Sequence, residues 1–210
     1  MILSMKKIGL LMAKALVGLS LVLSAQTFSQ NLPEDALRIS IDELISEFGQ
    51  NRVELAADKQ KLYAMAESVV YKNWDFSKMA RLVLGKNWKK ATEQQQTEFT
   101  EAFKDLLIRT YSSAMFKYTG KENIIFVGTK YKGDKKARAI VTAKGDLGDG
   151  SDPLTLTFSV YKDDLEAWRI YNIGVAGISL VTTYRTSYNQ IIRTKGLDSL
   201  IESIEAKANG

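Results

Sequence analysis

The chain contains no histidine and no cysteine. Those absences exclude Ser-His and Cys-His nucleophilic pairs and the ordinary zinc-ligand sets, each of which needs an imidazole or a thiolate. They also exclude disulfide staples and thiol-linked lipid anchors, so the fold must be held by a buried core. Pro33 and Pro153 are the only prolines among 210 residues. No repeat or low-complexity linker divides the chain, which fits a single α+β domain. Gly-rich phosphate loops and nucleophile elbows are missing as well. Carboxylates, Lys, Tyr or Ser-Lys pairs are the acid-base groups that remain, and nothing in their spacing draws them together. Asp75 and Asp105 lie beside apolar stretches, where each reads as a helix cap or an exposed face. The run from Gly145 to Gly150 lacks the ordered ligands and terminal Glu of a calcium loop and reads as a hairpin loop. No metal site and no cofactor are expected.

Charge is sparse at the start of the chain. Lys6, Lys7 and Lys14 are the only charged residues before Glu34, and they precede an apolar run from Ala15 to Leu23. That is the layout of a secretory signal. A bilayer span needs about 20 apolar residues, so the run is too short for a permanent anchor. Residues 1–25 are read as a signal peptide, with cleavage between 25 and 30, and 31–210 as the mature domain. Its loss leaves 26 basic residues against 24 acidic ones, nearly neutral. Nucleic-acid binding needs a basic face or stripe and is not expected. Lys130, Lys132, Lys135 and Lys136 form a short basic patch broken by Gly133 and Asp134. It reads as a solvated hairpin turn, with an acidic partner or anionic headgroups as the alternative.

The apolar pattern divides the mature chain into a helical first half, a strand-rich middle and a helical tail. Pro33, followed by Glu34 and Asp35, opens a helix to about Phe48, and a second runs from about Glu54 to Lys72. A short third helix, Phe76 to Leu84, stops at Gly85. Thr92 with Gln95 three positions on is a capping box that starts a long helix to about Tyr118. From Asn123 the apolar period changes from 3.6 to 2. Residues 124–129, 137–144, 154–161 and 168–175 then read as four strands with turn-rich connections, suited to antiparallel pairing. After Gly177 a helix to about Lys195 carries Leu180, Tyr184, Tyr188, Ile191 and Ile192 on one stripe, and a last helix starts at Asp198. Ala137, Ala139, Val141 and Ala143 share one strand face. Side chains that small either leave an apolar gap between sheet and helices or admit a closely packed helix.

Leu82-Val83-Leu84-Gly85-Lys86-Asn87-Trp88-Lys89-Lys90-Ala91-Thr92, the helix Phe99-Thr100-Glu101-Ala102-Phe103, Trp168-Arg169-Ile170-Tyr171-Asn172-Ile173 leading to Gly177-Ile178-Ser179-Leu180-Val181, and the tail Arg193-Thr194-Lys195-Gly196-Leu197-Asp198-Ser199-Leu200 together resemble the MlaC family, also called toluene-tolerance or Ttg2 proteins. The resemblance runs from about residue 34 to 205. Asn172 stands where many relatives carry Asp. The resemblance implies a nuclear-transport-factor-like fold, a mainly antiparallel curved four-stranded sheet packed against helices and enclosing an apolar lipid cavity. It further implies a periplasmic phospholipid carrier that serves outer-membrane lipid asymmetry. Its partners would be an inner-membrane ABC transporter complex, met through its MCE-domain protein, and an outer-membrane lipoprotein complex, with phospholipid as cargo.

Each methylene in water costs about 0.8 kcal/mol, so a two-tailed lipid needs an apolar container worth on the order of 20 kcal/mol. On that reading the expected tail contacts are Met79, Val83, Phe103, Leu107, Tyr111, Met115, Val141, Leu156, Phe158, Ile170, Ile173, Val175, Ile178 and Val181. Tyr184, Arg185 and Tyr188 could reach the mouth. Two other classes compete: an adaptor with a filled core, and an enzyme on the same α+β cone.

Overall fold

A computed structural model describes residues 32–112, 116, 123–133, 136–146, 148 and 150–209. The expected signal peptide lies outside the described residues. Six α-helices and five strands are present among those that are described.

Helix α1 (Pro33–Ala57) begins where Pro33 sets the first helical φ and Glu34 and Asp35 meet the positive end of the dipole. It continues past Phe48, where the apolar stripe pointed to a break, because no proline follows and Gly49 is tolerated without being required; a Cβ there would meet nothing. The break comes instead at Asp58. Its extended backbone leaves the helix and its carboxylate accepts from the Gln60 amide at 2.9 Å, capping α2 (Lys59–Tyr71). Helix α3 (Phe76–Leu84) is capped by the Asp75 carboxylate, which accepts from the Lys78 amide at 2.8 Å, and it ends at Gly85 with φ +56°. A 3-10 turn over Gly85–Asn87 follows. At the start of α4 (Glu93–Ser112) both bonds of the capping box are present: the Thr92 hydroxyl accepts from the Gln95 amide, and the Gln95 side chain from the Thr92 amide, each at 3.1 Å. Beyond Ser112 the expected continuation lies outside the described residues except for Phe116, which packs edge-on against Phe48.

Strands β1 (Asn123–Lys132), β2 (Arg138–Asp146), β3 (Leu154–Lys162) and β4 (Trp168–Val175) occupy the four expected positions, and a two-residue β5 (Ile178–Ser179) is added at the β4 edge. All pairings are antiparallel, in the order β1-β2-β3-β4-β5. β5 was not foreseen because the turn that makes it, Ala176-Gly177, has positive φ at both positions without the usual Asn-Gly pair. Helices α5 (Leu180–Lys195) and α6 (Leu197–Asn209) complete the described chain.

Two main cores result. Under the sheet, Leu37 of α1 packs with Ala139, Val141 and Ala143 of β2, Phe158 and Val160 of β3, and Trp168 and Ile170 of β4. The alanine face of β2 is therefore the seat of a close helix and not a gap: its small side chains let α1 approach. The second core joins α3, α4, α5 and α6 through residues such as Met79, Val83, Phe99, Phe103, Leu200 and Ile204, all almost fully buried. The segment between α2 and α3 ties that layer to the sheet. The Asp75 amide donates to the Ile170 carbonyl and the Ile170 amide to the Asn73 carbonyl, both at 2.8 Å.

Candidate functional site

Beyond the end of the sheet core, β4 and the helices separate around a cavity of about 1080 Å³. Helix α1 contributes Leu44, α2 Ala66 and Val70, and the entry to α3 Trp74 and Phe76. One side of α4 gives Leu106, Leu107, Ile108 and Tyr111, while β4 gives Ile173 and Val175. Helix α5 supplies Leu180, Tyr184, Tyr188 and Ile191, whose spacing of four, four and three places them on one helical face. Phe103 fixes that face from behind: its ring lies edge-on to Tyr184 at 5.1 Å and to Tyr188 at 6.2 Å.

The opening is marked by exposure. Tyr111, Val175 and Ile178 line the cavity yet remain 52%, 41% and 67% exposed, whereas Ala66, Leu107 and Tyr188 on its deeper wall are buried. Among the described residues the wall carries no carboxylate, and its one cation, Lys207, is exposed near the end of α6. Burial pushes the Tyr184 hydroxyl up to about 12, helped by the neighbouring Tyr111, with which it shares a hydrogen bond. Burial, followed by Tyr184, also pushes Tyr188 up. Both phenols are neutral at physiological pH. The described surface is thus mainly aromatic and aliphatic, with Thr110, Ser112, Thr183 and Ser187 adding hydroxyls, and is suited to hydrocarbon.

Of the residues expected at the tails, Leu107, Tyr111, Ile173, Val175 and Ile178 line this cavity. Met79, Val83, Phe103 and Val181 are buried in the helical core. Val141, Phe158 and Ile170 are buried under the sheet, with Leu156 packed at that cluster's margin. Met115 lies outside the described residues. Tyr184 and Tyr188 line the cavity, Tyr188 on its deeper wall and not at the mouth. Arg185 does not: its Nε donates to the Leu82 carbonyl at 2.6 Å, facing α3. Ala66, Val70, Trp74 and Phe76 carried no signal that separated a cavity wall from a core. The stripe Leu180, Tyr184, Tyr188, Ile191 marked a covered apolar face without saying what covers it.

Asp75 and its neighbours form the other conspicuous polar group. The Tyr161 hydroxyl donates to the Asp75 carboxylate, and Lys78 sits 3.3 Å from the Tyr161 ring centroid. Burial, then the bond to Asp75, pushes Tyr161 up to about 12. Because Asp75 also caps α3, this cluster fastens that helix to β3 and lies outside the cavity wall.

Over residues 39–206 the sequence matches the family model described as MlaC protein. The chain belongs to the MlaC family. One MlaC relative, the intermembrane phospholipid transport system binding protein MlaC of Haemophilus influenzae, is 22% identical over 186 residues, covering 86% of this chain and 84% of the relative. The toluene tolerance protein ttg2D of Pseudomonas putida is 23% identical over 174 residues, covering 82% of this chain and 78% of the relative. In three dimensions the chain resembles a phospholipid-binding protein from Ralstonia solanacearum, solved with a phospholipid at 1.53 Å resolution. The TM-score is 0.73 at 21% identity, over 83% of this chain and 95% of the other, which establishes a shared fold.

Within that fold Asn172 has a definite task. Its Oδ1 accepts from the Ser179 hydroxyl at 3.0 Å and from the Val181 amide at 3.1 Å, so it holds the first turn of α5 against β4. An Asp at this position would supply the same acceptor with a charge favourable to the helix dipole. Asn172→Leu leaves both donors without a partner and should lower stability by about 1–2 kcal/mol in urea unfolding. Asn172→Asp should match or slightly exceed the parent. Equal stability of the Leu variant would show that the cap contributes nothing.

Proposed function

We propose that the chain is a periplasmic phospholipid carrier that holds acyl tails in the cavity between β4, α4 and α5. On this reading it is exported by its N-terminal signal and loses that segment. It then exchanges lipid between the MCE-domain protein of an inner-membrane ABC transporter complex and an outer-membrane lipoprotein complex, and so serves outer-membrane asymmetry. The observation that carries the proposal is the cavity itself, apolar and about 1080 Å³ in volume. A methylene displaces about as much space as a water, on the order of 30 Å³, so this volume suits roughly 35 carbons, two ordinary fatty chains. Membership of the MlaC family and the phospholipid-binding names of its relatives support the same cargo. No helix among the described residues is long and apolar enough to cross a membrane. No observation favours the filled-core adaptor or the enzyme.

With the rim exposed and the exposed Lys207 the one charged side chain on the described wall, tail burial supplies the affinity and the headgroup stays in water. Weak headgroup selectivity follows. The test is to purify the protein without detergent, extract it with organic solvent and weigh the lipid by mass spectrometry. Phospholipid near one molecule per chain, with mixed headgroups, is expected; a protein that yields none and takes up none from vesicles would end the proposal.

A further inference from the structure

The sheet has a second face, turned away from the cavity, that the carrier reading does not use. The pairing register defines it. Lys132, Arg138, Tyr161 and Arg169 form one row across four strands, and Lys130, Ile140, Ser159 and Asn172 the next. Gly128, Thr142, Thr157 and Gly174 form a third, and Ile125, Lys144 and Thr155 a fourth. The bond from Lys144 Nζ to Thr155 Oγ1, 2.8 Å, confirms that these side chains share a side. The alternate residues, Ala139, Val141, Phe158 and Ile170 among them, point the other way into the core.

These four rows contain five cations and no Asp or Glu. Arg169 is paired with Asp163 at 2.7 Å. Lys130, Lys132, Arg138 and Lys144 are exposed and have no carboxylate within ion-pair distance among the described residues. Two described acids border the rows: Asp75, which takes the Tyr161 hydroxyl and the Lys78 amide, and Asp146, which accepts from the Gly148 amide at 2.9 Å; such bonds leave a carboxylate's charge in place, so the four unpaired cations outnumber these two acids. On the α3 side the surface continues through Lys78 and Arg81. Lys78 is pushed down by burial first, upward by Asp75, and down again by Arg138 and Arg81.

We infer that this cationic sheet face docks on the anionic surface of a phospholipid bilayer. Charge complementarity decides the sign of the partner. The arrangement decides its kind. Among the described residues the four cations without a carboxylate partner are spread over a hydroxyl-rich sheet face, in strands about 4.8 Å apart, and do not converge on a pocket. Nor is there a central buried aromatic anchor of the kind that dominates a specific protein interface. Cations scattered over a sheet face suit a partner whose negative groups can move laterally to meet them, as lipid headgroups do. Docking of this kind does not depend on what the cavity holds.

The test is flotation of the mature chain with vesicles of pure phosphatidylcholine and with vesicles containing phosphatidylglycerol as the minor lipid, at low and at physiological salt. Association with the anionic vesicles, weakened by salt, is expected. Each cation contributes about fivefold, so the triple variant Lys130→Glu, Lys132→Glu, Arg138→Glu should bind weaker by on the order of a hundredfold or more. A charge-matched control, Lys59→Glu, Lys89→Glu, Lys90→Glu, should keep most of the binding. All six positions are exposed, and circular dichroism would confirm that both variants fold. Three results overturn the inference: no preference for anionic vesicles, equal loss in the control, or loss of a protein partner by the face variant without any vesicle binding, which would assign the face to an acidic protein. Delipidated protein should float as well as loaded protein. Failure of the cavity to carry lipid would therefore leave this result untouched.

Discussion

Ile173→Asp should fold and bind almost no lipid. Ile173 projects from β4 into the cavity beside Val175 and is only partly buried, so in the empty protein a carboxylate there keeps much of its water. Acyl tails entering the cavity would strip that water while offering no hydrogen bond in return, at a cost of several kcal/mol. A penalty of about 4 kcal/mol lowers affinity roughly a thousandfold. The apo protein loses only the Ile packing against the sheet core and some strand propensity, together about 2 kcal/mol. Lipid-to-protein ratio after vesicle exchange measures the first effect and urea unfolding the second. The sign with pH is fixed as well. The apolar surroundings of the bound tails favour the neutral carboxyl, so its pKa is higher in the loaded state than in the empty one. Loading of the variant should therefore recover as pH falls toward the carboxylate range, while Ile173→Leu loads normally at every pH. Full loading of Ile173→Asp at neutral pH would mean that the tails lie elsewhere.

The residues of α5 show what could be read in the chain and what could not. Leu180, Tyr184, Tyr188 and Ile191 announce an apolar face by spacing alone, and the capping box at Thr92 announces the start of α4; both are present as expected. A stripe states that a face is covered, not whether side chains or a cavity cover it. Leu107 and Leu106 wall the cavity, while Phe103, one turn earlier on the same helix, is packed solid. Small residues on β2 were equally ambiguous, and the answer depended on α1, more than 80 positions away in the chain, delivering Leu37 to them. Local periods cannot encode which of two apolar surfaces meets a third. The break between α1 and α2 illustrates the same limit at short range. The apolar stripe faltered near Gly49, but a falling stripe does not end a helix; a competing side-chain acceptor does, and Asp58 is that acceptor.

Phe103→Ala separates core from cavity wall by the opposite pair of effects. The ring is fully buried, stacked on Phe99 at 5.7 Å and edge-on to Tyr184 and Tyr188. Its removal deletes one of the larger side chains of the helical core, and the aromatic neighbours, held by α4 and α5, leave the space open in the empty protein. A cost of about 3–5 kcal/mol is expected, which for a domain of this size lowers Tm by on the order of 10 °C. Lipid binding should survive, because the cavity wall in front of the ring remains apolar. The new void lies directly behind Tyr184 and Tyr188, so those rings can retreat into it when tails press on them. Bound lipid then recovers contacts that the apo variant lacks, and the rise in Tm on loading should be larger for Phe103→Ala than for the parent. Calorimetry of both proteins, empty and loaded, tests the argument. A loss of stability below about 1 kcal/mol would contradict the placement of Phe103 in the core, and a loss of lipid binding comparable to that of Ile173→Asp would place it on the wall.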